Sequence, residues 1–263
     1  MNSDKLINSI SQALQDDSRV LAAWLSGSRG RGTADRYSDV DVWLVVSADD
    51  VAGFIEDWPE LSDRITPTVL RQQVGGGPVF NAVTPDWQRF DIAIGTPEDV
   101  PNRSRSTLRP LFDRAGLTEK LKDVGEALAP NPGRVAGLTT EFLRVLGLLP
   151  VVVGREEYVV AASGTGLLRQ LLIQLMLEDV AVEDRGGVLR LKGLLPPQRL
   201  AELAELPAIE ATRAAALAGH LACARAFLPL SRELHGRCDL EWPEELEAAA
   251  RRHLRAELDL ELD

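Results

Sequence analysis

Leu25-Ser-Gly-Ser-Arg-Gly-Arg-Gly-Thr-Ala-Asp-Arg-Tyr-Ser-Asp-Val-Asp-Val-Trp-Leu-Val-Val46 is the stretch that decides the fold. An apolar run ends in a small-residue turn, Gly27-Ser28. After an arginine-rich loop comes Asp39-Val-Asp41, which leads into a second apolar run. If that run is a strand, its period of two puts Asp39 and Asp41 on one face while Val40 and Val42 face a core. Paired carboxylates on a rigid strand suit Mg²⁺, which takes one or two protein carboxylates and fills its other positions with water and phosphate oxygens. The backbone N–H groups and hydroxyl of the Gly-Ser turn suit phosphate. The segment therefore points to metal-assisted handling of a nucleoside triphosphate.

A lone Asp-x-Asp is common, and neighbouring features give this one its meaning. Arg29, Arg31 and Arg36 lie in the loop and can offset phosphate charge. A third carboxylate, Asp91, occurs in Trp87-Gln-Arg-Phe-Asp-Ile-Ala-Ile94. There Phe90, Ile92 and Ile94 alternate with Arg89, Asp91 and Ala93, so Asp91 is expected on the face opposite the apolar residues. Two acids on one strand and a third on a neighbour can bracket two metal ions.

Gly-Ser, a gap of ten residues, Asp-Val-Asp-Val and a later hydrophobic–Asp–hydrophobic strand resemble the DNA polymerase β-like nucleotidyltransferase superfamily. The wording from Ala23 to Asp41 is most similar to the antibiotic nucleotidyltransferases that act on lincosamides and aminoglycosides. The close resemblance covers roughly residues 1–100. It implies an α+β protein: an N-terminal nucleotidyltransferase domain, residues 1–129, with a mixed sheet flanked by helices, then a helical substrate-binding bundle, residues 134–263.

The resemblance further implies in-line attack of an acceptor hydroxyl on the α-phosphorus of ATP or another NTP, with pyrophosphate leaving. Asp39 and Asp41 would ligate two Mg²⁺ ions. Asp91 would complete the metal site on the acceptor side and is the candidate general base, although a separate glutamate is the base in some relatives. Gly27 and Ser28 would hold the β- and γ-phosphates, with Arg29 as their charge partner. Glu141, Glu156 and Tyr158 are candidates for acceptor binding, together with Arg155 and Glu157, because Gly154-Arg-Glu-Glu-Tyr158 reads as a helix start just past the domain junction. Antibiotic resistance would be the biological setting. The alternative acceptor is a protein or RNA partner, as in an AMP-transferase or a toxin–antitoxin component; a dedicated second domain favours the small molecule.

Charge bears on the same choice. The 263 residues carry a formal net charge of −11. Residues 1–130 hold 20 acidic and 14 basic side chains and the remainder 20 and 15, so neither half is basic. That excludes a domain built to neutralise a nucleic-acid backbone, and an acidic surface attracts a cationic small molecule instead. The two cysteines, Cys223 and Cys238, cannot make a disulfide framework and imply a reducing compartment. His235 and Cys238 lack a second ligand pair, so no zinc site is assigned. The N-terminus, from Met1 and Asn2 on, has no apolar leader, and Gly147 and Pro150 interrupt the most apolar run. The expectation is a cytoplasmic protein with no segment long enough to span a bilayer.

Along the chain, the expected elements are a helix from Ser3 to about Asp16 and strands at 20–25 and 39–46. A helix over 48–58 should be stopped by Pro59, and a strand should lie near 67–71. Gly75-Gly76-Gly77 marks a break before a hairpin of strands 79–83 and 88–94, and 108–113 reads as an edge strand because of Pro110. Leu117–Leu128 reads as an amphipathic helix and Pro130–Gly133 as the linker. Helices are expected at about 134–149, 155–180, 197–205, 209–235 and 243–258, with 167–177 central and buried. Ser163-Gly-Thr-Gly166 reads as a kink or capped helix start rather than a phosphate loop.

Overall fold

The computed structural model describes residues 3–75, 77–186 and 188–262. Met1, Asn2 and Gly76, the middle of the expected glycine break, lie outside them. The chain divides into two compact units, Met1–Glu126 and Ala127–Asp263.

In the first unit, α1 (Ser3–Gln15) precedes β1 (Val20–Leu25), the short α2 (Gly27–Gly30) and β2 (Val40–Val46). Helices α3 (Val51–Glu56) and α4 (Trp58–Ile65) follow. Then come β3 (Leu70–Gln73), β4 (Val79–Val83), β5 (Arg89–Gly95) and β6 (Arg109–Asp113). Among the described residues these strands form one sheet in the order β3-β4-β5-β2-β1-β6. It is mixed: β2 and β5 run parallel and every other pair is antiparallel. The α+β reading holds.

Alternation along the strands creates two unlike faces. Val40, Val42, Leu44, Phe90, Ile92 and Ile94 pack with Leu6, Ile10 and Leu14 of α1 and with Phe54, Trp58 and Leu61 of α3 and α4. Each such buried side chain contributes about 1.5–3 kcal/mol. The opposite face has a smaller cover around Trp24 and Trp43, whose rings stack 5.0 Å apart beside Val100, Leu108, Leu117 and Leu121. That small cluster leaves the Asp41–Asp91 end of this face to polar residues.

Two expectations fail here for identifiable reasons. Pro59 does not stop a helix; it sits in the first turn of α4, where its missing N–H has no partner to lose. The pattern at 117–128 forms only a 3-10 turn at Leu117–Lys120. The Asp113 carboxylate takes the N–H groups of Ala115, Leu117 and Thr118, and Lys122 then bridges to Ser104, so the chain is committed elsewhere before a helix can extend.

The second unit is helical: α5 (Pro132–Leu146), α6 (Leu149–Gly154), α7 (Tyr158–Glu178), α8 (Leu191–Leu194), α9 (Pro197–Glu205), α10 (Arg213–Arg237) and α11 (Glu244–Leu258). Pro130–Gly133, read as the linker, instead enters α5: Asn131 Oδ1 accepts from the Arg134 N–H and Pro132 opens the helix. Leu168, Leu172 and Leu175 of α7 are fully buried against Phe142 and Phe227, whose rings stack 3.8 Å apart. Ser163–Gly166 lies inside α7, where a Cβ added at Gly164 would meet the His220 ring and Thr165 Oγ1 shares a hydrogen bond with His220 Nδ1 at 3.1 Å.

By length and composition, Pro132–Gly154, Tyr158–Glu178 and Arg213–Arg237 are each able to cross a membrane, which overturns the expectation that no segment reaches that length. Glycine and proline interrupt the apolar runs without lowering the average hydropathy enough. In the structure these segments supply the core of the second unit.

Glu178 secures the entry to this unit. Only 3 % exposed, it accepts from the Asn131 N–H and from Arg185 at 2.9 Å each and pairs with Arg134 at 2.9 Å; Arg185 also donates to Leu128 O and Ala129 O. Glu178→Ala removes the acceptor of the Asn131 N–H and the carboxylate that pairs with Arg134 and Arg185. It should cost about 2–4 kcal/mol, read as a lower urea midpoint; a midpoint equal to wild type would remove the anchoring role.

Candidate active site

Ser26 leaves β1 extended and its N–H bonds Asp41 O at 2.9 Å, which holds the turn against β2. Gly27 then takes φ +56°, a left-handed conformation that favours glycine. A second constraint acts at the same residue: a Cβ built on Gly27 would lie 1.9 Å from Asp41 Oδ2 and 2.7 Å from its Cγ. The backbone of the turn therefore touches the Asp41 carboxylate, and only a residue without a side chain permits it.

The register extends the site across the sheet. Asp41 pairs with Asp91 on the parallel β5, Asp91 with Asn81 on β4, and Asn81 with Gln72 on β3. Side chains at paired positions share a face, so Ser26, Asp41, Asp91, Asn81 and Gln72 make a polar row on the face opposite the helices. Gln72 Nε2 donates to Asn81 Oδ1 at 3.4 Å, which leaves the Asn81 amide nitrogen for Asp91. Burial raises the Asp91 pKa, and the nearby Asp39 charge raises it further; the hydrogen bond from Asn81 and the charge of Arg89 oppose this without reversing it.

Asp39 ends the loop before β2, half-buried. Its carboxylate stands 3.6 Å from Arg89, whose guanidinium also donates to Tyr37 O at 3.2 Å. Arg29, expected to face phosphate, donates through Nε to Asp39 O at 2.9 Å and so braces the loop that presents Asp39. Ser28 Oγ is buried and has no hydrogen-bond partner.

Asp39, Asp41 and Asp91 thus gather at one end of two parallel strands beside the Gly27-Ser28 turn. Among the described residues, no three His, Cys, Asp or Glu side chains converge into a ready-made metal cluster. The surroundings nevertheless fit a divalent cation with bound phosphate. They combine a carboxylate whose charge is disfavoured by burial, a glycine backbone pressed so close to Asp41 that a Cβ would collide with its carboxylate, and a buried hydroxyl without a partner. Arg89 and Asn81 are the contributors that sequence reasoning missed. Their alternation with apolar neighbours was visible, but the β2–β5–β4 register that aims them was not.

The expected acceptor-binding residues are placed differently. Glu141 forms a bidentate pair with Arg144 at 2.7 Å along α5, an ordinary i, i+3 contact. The helix expected from 155 begins at Tyr158. Glu156 lies exposed in the preceding turn with φ +57°, and its carbonyl accepts from the Tyr158 N–H. This turn is some distance along the chain from the division at Glu126, not just past the junction.

Residues 7–70 match the model of the nucleotidyltransferase domain family. The match includes Gly27, Ser28, Asp39 and Asp41 and stops before Asp91. No curated protein matches the chain. Among solved structures, one similar chain is an aminoglycoside 6-adenyltransferase from Bacillus subtilis, with 15 % sequence identity over 96 % of this chain and 98 % of that one and a TM-score of 0.44.

Proposed function

We propose that this chain, an enzyme whose N-terminal unit carries a nucleotidyltransferase domain, moves AMP from ATP onto a hydroxyl of a small cationic antibiotic such as an aminoglycoside or a lincosamide. The observation that carries the transfer chemistry is the polar row through Asp41 and Asp91 with the Gly27 backbone against it. Support for the acceptor comes from the acidic balance of both halves and from the similarity of the Ala23–Asp41 wording to antibiotic-modifying relatives.

The acceptor oxygen attacks the α-phosphorus, the bond from that phosphorus to the bridging oxygen breaks, and pyrophosphate leaves with the bonding electrons. The hydroxyl proton passes to Asp91, the half-buried carboxylate paired with Asp41 across the two parallel strands. Asn81 orients the Asp91 carboxylate, and Arg89 with Arg29 holds the Asp39 loop. Ser28 Oγ and the Gly27-Ser28 backbone bind the leaving phosphates. Asp39, Asp41 and Asp91 would hold Mg²⁺, which when bound offsets charge on the attacking and leaving oxygens.

Asp91→Asn separates the base from the fold. The rate should fall about 10²–10⁴-fold with little change in nucleotide affinity. Because burial raises the folded pKa of Asp91, its ionised form costs stability above that pKa, and the cost disappears below about pH 4. The variant should therefore melt slightly higher than wild type at pH 7–8 and no higher at pH 3.5. Wild-type turnover, or a lower melting point at pH 8, would remove Asp91 from this role.

The acceptor is tested by incubating the protein with Mg²⁺ and each NTP against aminoglycosides and lincosamides and weighing the products by mass spectrometry. One acceptor should gain a nucleoside monophosphate. If the small molecules stay unmodified while a protein or RNA is labelled, the acceptor proposal is wrong.

A further inference from the structure

A recess lies at the end of the sheet, where α1, the loop before β2 and the β4–β5 turn meet. It encloses about 440 Å³ and is lined by Leu6, Arg36, Tyr37, Trp87, Gln88 and Arg89, among others. It touches Val40 and Leu6 of the helix-covered side and is closed by Arg89, which pairs with Asp39, so the recess borders the carboxylate row without including Asp41 or Asp91.

Three features mark it as built for a ligand. Two large rings stand in water at its rim, Tyr37 at 69 % and Trp87 at 76 % exposure. Trp87 is held there at a conformational cost, since φ +62° is a strained setting for an aromatic residue. The turn fixes it through Trp87 N–H to Thr84 O and Thr84 N–H to Gln88 O, both 2.9 Å. The third feature is Gln88 Oε1, buried at the recess without a hydrogen-bond partner.

Charge selects among ligands. Among the described residues lining the recess two are arginines and none is acidic. The Arg36 guanidinium lies over the Tyr37 ring, 4.4 Å from its centroid, and Arg89 reaches round to Tyr37 O and Asp39. A polycationic acceptor is repelled here. Aromatic platforms beside guanidiniums suit a stacked base with phosphate attached, and an unsatisfied amide oxygen suits an exocyclic amino group.

We propose that this recess is a second nucleotide site, taking a nucleoside monophosphate whose base carries an amino group. The base stacks on Trp87 and Tyr37 and donates to Gln88 Oε1, and the phosphate pairs with Arg36. Because Arg89 serves both places, an anion in the recess competes with Asp39 for one guanidinium. The proposal rests on the recess itself and not on the transfer reading.

The test is AMP binding to the full chain by titration calorimetry in EDTA. One AMP per chain should bind, and Asp41→Asn should bind it as wild type does. Trp87→Gly should weaken it by roughly five- to hundred-fold, the range of one lost base stack. Glycine adopts φ +62° freely, so this variant keeps the turn. No binding in EDTA, equal binding by Trp87→Gly, or loss of binding in Asp41→Asn would overturn the second site. None of these results bears on whether transfer occurs at Asp41.

Discussion

Asp41→Asn should lower transfer by about 10³-fold or more while leaving the protein folded. Asparagine has the size and shape of aspartate, so the contact with the Gly27 backbone and the β2–β5 pairing survive. What disappears is the carboxylate that lies between the Gly27 backbone and Asp91 in the polar row. A rate within tenfold of wild type, with circular dichroism and melting unchanged, would show that Asp41 is not part of the reaction. Asp39→Asn should also abolish transfer, and it releases Arg89 from its 3.6 Å ion pair.

Gly27→Ala should act on structure and reaction together. Its Cβ would stand 1.9 Å from Asp41 Oδ2 at a backbone angle of φ +56°. Either the turn moves away from β2 or Asp41 leaves its place in the row. We expect a loss of about 2–3 kcal/mol in stability and at least 100-fold in rate. Gly32→Ala is the matched control: φ is +70° there, but nothing lies within 4 Å of the added Cβ. It should cost only the backbone strain, about 1 kcal/mol, and little activity. If the two variants behave alike, the close approach of turn and carboxylate has no function.

The strands of the first unit were legible as apolar runs at β1 and β2 and by alternation at the start of β2 and along β5. Strands β1, β4 and β6 fall within a residue of their expected places, whereas β3, expected near 67–71, forms at Leu70–Gln73 with every residue exposed. The same alternation placed Asp41 and Asp91 on the polar face before any register was known. Errors came where one residue has two structural uses. Proline both ends helices and begins them, and at Pro59 and Pro132 it begins them. An amphipathic pattern at 117–128 needs a free helix start, and the Asp113 carboxylate takes those N–H groups for a turn.

Tertiary relations were out of reach. Arg29 lies beside the glycine turn and read as a phosphate partner, yet it bonds a carbonyl ten positions away. Asn81 and Arg89 acquire meaning only when β4 and β5 flank Asp91 in register. The clash that makes Gly27 necessary is with a side chain on another strand. Glu141 read as available until its pairing with Arg144 was visible.

The account rests on the carboxylates around Asp41 working on a nucleotide. The most direct measurement is Mg²⁺-dependent release of pyrophosphate from ATP in the presence of an acceptor panel, run side by side for wild type and Asp41→Asn. The account predicts acceptor-dependent release by wild type, lost on adding EDTA and lost in the variant. Release of equal size from both proteins, or none from wild type with any NTP and acceptor, would contradict it.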